Sequence, residues 1–155
     1  MNLTSLLLSL HVLAAVVWVG GMFFAHQCLR PVAASLLEPP VRLAQWVAVF
    51  GRFFPWVWVS IILLLISGYS LLFRLFGSMG NAPLYAHIMN GIGLLMIAIY
   101  LFVYFVPYQK LKEAVVIQTW PEGAAQLARI RFLVGVNLSL GLIVIALGSG
   151  GRYLG

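Results

Sequence analysis

No aspartate, glutamate or lysine occurs in four apolar stretches of this chain: Ser5 to His26, Pro55 to Phe73, Leu84 to Val106 and Phe132 to Leu147. That feature constrains the fold more than any other. A hydrocarbon core of ~30 Å is crossed by about 20 apolar residues in a helix. Inside it, each backbone polar group must find its partner within the segment or in a closed barrel. The expected architecture is therefore all-α: an integral membrane four-helix bundle, a single transmembrane domain over residues 1–155. Only 8% of the residues are charged, against about a quarter in soluble domains, so a water-soluble fold has too little polar surface. The first run lacks a basic leader and continues past Phe24 without a small-residue cleavage site. It reads as a retained span, not a signal peptide.

The span boundaries carry their own signals. Pro55 suits a helix start, where its missing N–H costs nothing, and Pro107 ends the third run by withholding a donor. Between Gln27 and Arg52 the sequence holds the breaker EPP and then VRLAQWVAVFGRF, either an interfacial helix or a long lead into the second span. Thr119 and Glu122 have capping-box spacing, which predicts a basic helical arm leading into the fourth span. Gly20, Gly21, Gly135 and Ser139 predict close helix approach within the chain. Tyr100 and Tyr104 are expected in an aromatic belt.

Charge placement sets the orientation. Arg30, Arg42, Arg52, Lys110, Lys112, Arg129 and Arg131 follow the first and third spans, whereas only Arg74 and Arg152 fall on the other side. Under the positive-inside rule the long loops are cytoplasmic and both termini periplasmic, in a multi-pass protein of the bacterial inner (plasma) membrane. The formal charge of +6 is scattered between apolar runs and forms no nucleic-acid-binding face; the lipid bilayer is the partner it implies.

Several chemistries are disfavoured. Without intramembrane carboxylates or lysines a proton-coupled pump is unexpected. No serine has a histidine and carboxylate to complete a triad. CxxC and HExxH are absent, and the terminal GSGGRYLG follows no strand that would make it a phosphate loop. Cys28, the only cysteine, excludes an internal disulfide and any multi-cysteine metal site.

Three histidines remain. His11 lies about a third of the way into the first span from its outer end, and His87 near the start of the third, which enters from the same side. His26 is ~22 Å further along the first helix, at the cytoplasmic end, and reads as interfacial. Polar groups inside a bilayer are costly and tend to be functional. Two imidazoles at matching depth on different helices can hold haem b from its two faces, which makes His11 and His87 the candidate axial ligands. Trp18 and Met22 share a stripe with His11 and could wall the macrocycle. Gly91 leaves room one turn beyond His87, Asn90 could orient its ring, and Arg74 could meet a propionate. Set against this, a lone membrane histidine is often a packing residue bonded to a carbonyl or serine, Trp18 and Met22 are ordinarily core, and Arg74 ordinarily snorkels.

Copper is the alternative. Imidazole and thioether suit Cu(I), and Met22, Met79, Met89 and Met96 lie in or near the spans. His87 and Met89 form a His-x-Met pair, but two residues apart on a helix they diverge by about 200° and converge only if the helix start is unwound.

The segments LHVLAAVVWVGGMFF, AHIMNGIGLLMIAIY and NLSLGLIVIALGSGGRYLG resemble the copper resistance protein D family and small integral membrane proteins near it. The first helix, with His11, Trp18 and His26, also resembles the J-type protoporphyrinogen oxidases. That oxidase family has a histidine–x–lysine in its third helix where this chain has His87, Ile88 and Met89, and a later histidine near Ile99 and Tyr100 is missing. The oxidase resemblance implies a haem bundle with His11 as ligand, without the oxidase activity. The copper family implies inner-membrane copper handling by His11, His87 and Met89.

Three functions follow as expectations. The first is a small b-type haem protein moving electrons near the periplasmic face, a haem-dependent membrane oxidoreductase exchanging with quinone or a redox partner protein. The second is a copper-handling membrane protein. The third is a non-catalytic accessory subunit. Homo-oligomer formation is compatible with each.

Overall fold

A computed structural model describes residues 2–151 of the chain; Arg152, counted above with Arg74, lies outside the described residues. Helix α1 (Leu3–Phe23) starts at Asn2, whose side chain accepts from the Ser5 N–H at 2.8 Å, satisfying one of the free donors of the first turn. It passes through one π-helical segment, Phe24–Leu29, into α2 (Arg30–Leu36). Leu37 is extended, Pro39 opens α3, and α3 runs for 38 residues to Phe76. Gly77 stops it at φ 75°, a backbone angle that suits glycine.

Of the two readings of VRLAQWVAVFGRF, the long lead into the second span is the observed one. Pro55 accordingly stands inside α3 and does not start it. An interior proline costs about 3 kcal/mol and frees one carbonyl. The helix continues through it because the residues on either side are closely packed against neighbouring helices, Phe54 and Val57 being 4% and 0% exposed, and such packing holds membrane helices together.

Pro107 acts as expected. Helix α4 (Leu84–Phe105) ends beside Val106, at φ −114° and ψ −82°, and α5 (Pro107–Val116) begins at once. Helix α6 (Trp120–Gly150) joins the basic arm and the fourth span in 31 continuous residues. Its capping box does not form: the Thr119 hydroxyl turns back to the Ala114 carbonyl at 3.5 Å, and Glu122 accepts from the Gln126 amide at 2.8 Å. Four helical segments, Leu3–Leu36, Pro39–Phe76, Leu84–Val116 and Trp120–Gly150, are long and apolar enough to cross a membrane.

Helix α1 packs most closely on α3, while α4 and α5 pack on α6, and α1 also touches α6. Glycines permit two of these approaches. Gly21 lies against the Phe53 ring, and a Cβ on Gly141 would meet Val19 Cγ2 at 2.8 Å. Helix α3 meets α4 and α5 through aromatic rings. Trp46, Phe50, Phe54 and Trp58 recur every four residues on α3; Trp46 packs on Phe50, and the other three face Tyr100, Tyr104 and Tyr108. Ring centroids are 5.5 Å apart for Phe54–Tyr100, 5.5 Å for Trp58–Tyr104 and 4.9 Å for Phe54–Tyr108. Tyr100 is therefore a core residue and not a belt residue: it is buried, and its hydroxyl donates to the Phe54 carbonyl at 3.2 Å.

Seven basic residues gather where α2, α5 and the first halves of α3 and α6 meet, hereafter the basic end. At the opposite end the start of α1 touches the end of α3, with Arg74 Nε donating to Thr4 Oγ1 at 3.4 Å.

Candidate functional site

His11 faces α3. Its Nδ1 lies 2.9 Å from Ser67 Oγ, and a Cβ on Gly68 would come within 3.0 Å of His11 Cε1. The imidazole thus occupies a notch that only a glycine leaves open. Ser67 is buried, and its hydroxyl also lies within hydrogen-bond reach of the Leu63 carbonyl one turn back. A hydroxyl has a single proton, which Ser67 can give either to the Leu63 carbonyl or to His11 Nδ1, so both neutral tautomers of His11 fit this geometry. Nothing in its spacing marks Ser67 as the partner of His11. The adjacent Gly68 was the available clue to a ring seated there.

Below His11, Trp18 and Met22 lie on the interior face of α1, each 3% exposed. Met96 of α4 is buried as well, with its Cε against Gly141. Two thioethers therefore stand in the core beyond His11, near Asn137, whose amide donates to the Met96 carbonyl at 3.2 Å while its Oδ1 is buried without a partner.

The residues expected around His87 are placed differently. His87 is exposed on α4, and α4 packs chiefly on α6 where α1 packs chiefly on α3. His11 is turned to Ser67 of α3, and His87 stands exposed on α4. Asn90 accepts from the Tyr69 hydroxyl at 3.0 Å, tying α4 to α3 and leaving His87 unoriented by it. Gly91 borders open space. Since α4 is regular from Leu84, His87 and Met89 diverge, and Met89 reaches toward Gly148 of α6. Arg74 is exposed and bonded to Thr4.

His26, in the π segment, sits at the other end of the membrane-crossing stretch. A Cβ on Gly135 would come within 3.0 Å of its Nε2, so α6 approaches it as α3 approaches His11. Arg30 lies 3.4 Å from that nitrogen, and Nδ1 is buried without a hydrogen-bond partner. Arg30, Arg42 and Arg131 share a cavity wall with it. Residues 26, 42 and 131 are too far apart in sequence for spacing to have grouped them. Among the described residues, no three His, Cys, Asp or Glu side chains come together as a ready-made metal centre.

These features define a multi-pass membrane protein of helical hairpins, with one oriented imidazole in its interior and buried thioethers beyond it. The family model described as copper resistance protein D matches residues 47–150, and the chain belongs to that family. No curated protein and no solved structure matches the chain significantly. The matched stretch contains His87, Met89 and Met96, whereas His11 and His26 precede it. The J-type oxidase resemblance of the first helix gains no support from these comparisons.

Proposed function

We propose that this protein handles copper within the membrane, with His11 as its first intramembrane ligand and Met22 and Met96 as soft donors further inside. The observation that carries this reading is the part-buried His11 imidazole seated against Ser67 and Gly68 of α3, with the Met22 and Met96 thioethers buried further in. Neutral imidazole and thioether match Cu(I), and the family description names copper. Copper here is cargo. With the basic end in the cytoplasm, as the arginine and lysine distribution implies, His11 stands nearer the periplasmic face of the inner membrane.

Haem b held by His11 and His87 is less well supported, because His87 is exposed on a helix that packs mainly elsewhere and the family description points to copper. Purified protein titrated with Cu(I) against a chromophoric chelator tests the proposal. One tightly held equivalent is expected, weakened at least tenfold in His11→Ala and retained in His87→Ala. A Soret band in the purified protein, or Cu(I) affinity indifferent to His11, would overturn it.

A further inference from the structure

At the basic end, a cavity of about 270 Å³ opens between the π segment with α2 and the first halves of α3 and α6. Arg30, Arg42 and Arg131 line it, one from each of these three elements, beside His26. Arg30 contacts His26 Nε2 and Arg42 the Ala34 carbonyl, both at 3.4 Å, so neither bond goes to a carboxylate. His26 Nδ1 is buried and unpartnered there. Neither arginine bond compensates the positive charge of its guanidinium, which an anion would do.

The rest of the wall is apolar, including Leu43, Trp46, Phe50 and Val134. Phe50, Val134 and Ala25 also line a second, almost wholly apolar cavity of about 300 Å³ further into the bundle. Both cavities expose almost only apolar surface, and the three arginines add a small polar edge to the first. From Phe132 to Gly150, α6 spans about 28 Å, which matches the hydrocarbon thickness and sets Arg131 at the level of lipid headgroups.

We propose that this cavity is a binding site for an anionic phospholipid, its phosphate held by Arg30, Arg42 and Arg131 and an acyl chain lying against Leu43, Trp46 and Phe50. Basic recesses between membrane helices at the positively charged face suit such headgroups. A free phosphate would satisfy the guanidiniums but leave the apolar wall uncovered. This site is independent of the copper reading.

The test uses purified full-length protein in a mild detergent. Dioctanoyl phosphatidylglycerol, dioctanoyl phosphatidylcholine and inorganic phosphate are titrated separately, with dissociation constants and melting temperatures recorded. The glycerol lipid is expected to bind at least tenfold more tightly than the choline lipid and to raise the melting temperature, whereas phosphate alone does neither. The triple variant Arg30→Gln, Arg42→Gln, Arg131→Gln should lose that preference, while Arg52→Gln with Arg129→Gln, outside the cavity, keeps it. If the triple variant fails to fold, Ala128→Phe fills the cavity without altering charge and should weaken the glycerol lipid at least tenfold. Equal binding of both lipids, equal loss in the Arg52/Arg129 control, tight binding by Ala128→Phe, or a full response to phosphate alone would each overturn the proposal.

Discussion

The two ends of the bundle are built from different materials. Toward the basic end, Leu43, Leu111, Ile130 and Pro107 are among the largest fully buried side chains, and the rings of Phe50, Phe54 and Trp58 interlock with three tyrosines. At the opposite end the helices meet through small residues and single polar bonds: His11 to Ser67, Tyr69 to Asn90, Arg74 to Thr4. Lipid tails are as apolar as leucine, so membrane helices associate through packing and hydrogen bonds and not through burial from water. Stacked aromatic rings therefore hold one end, with the two cavities beside them, and the His11 imidazole sits at the end held by single polar bonds.

Three substitutions can break or sharpen this contrast. The largest effect is expected from Phe54→Ala, which removes the ring at the centre of the aromatic ladder. Large-to-small core changes of this kind cost about 3–5 kcal/mol, seen as a lower melting temperature in detergent; a loss under 1 kcal/mol would mean the ladder does not anchor that end. Ser67→Ala comes next. It leaves the helices nearly as stable but frees the His11 ring, and loss of such a supporting partner lowers metal affinity by about 10–100-fold. Cu(I) titration beside a melting curve separates the two, and equal small changes in both would make His11 a packing residue. The smallest effect is expected from Tyr69→Phe. It removes one bond between α3 and α4 worth roughly 0.6 kcal/mol, to be measured as a slight drop in melting temperature with copper affinity unchanged.

Much of the architecture was legible in the residues. Unbroken apolar runs must become helices in lipid, so four spans followed directly, and Pro107 broke α4 from α5 where its missing donor required. Pro55 misled because a local rule for helix starts ignores what flanking side chains gain by continuing; Phe54 and Val57 are both deeply buried. The stripe of Trp18 and Met22 was readable from period alone. Pairing His11 with His87 was not, because depth in the membrane does not determine which helices are neighbours. Ser67 and the three cavity arginines were beyond reach for a similar reason: tertiary proximity between distant residues leaves no trace in spacing.

The wide turn at Phe24–Leu29 has a consequence for how the two ends can vary. A π turn holds one residue more than an α turn, so it resets the rotational phase of the helix passing through it. The face that α1 presents to α3 and the face that α2 presents to the arginine-lined recess are thus uncoupled. Closing the segment to regular α turns with every residue kept would swing one face by about 100° relative to the other, misaligning His26 with Gly135 while His11 stays seated. Deleting one residue would instead close it with both faces in place. One extra residue in one turn is what lets a single helix serve two differently oriented neighbourhoods.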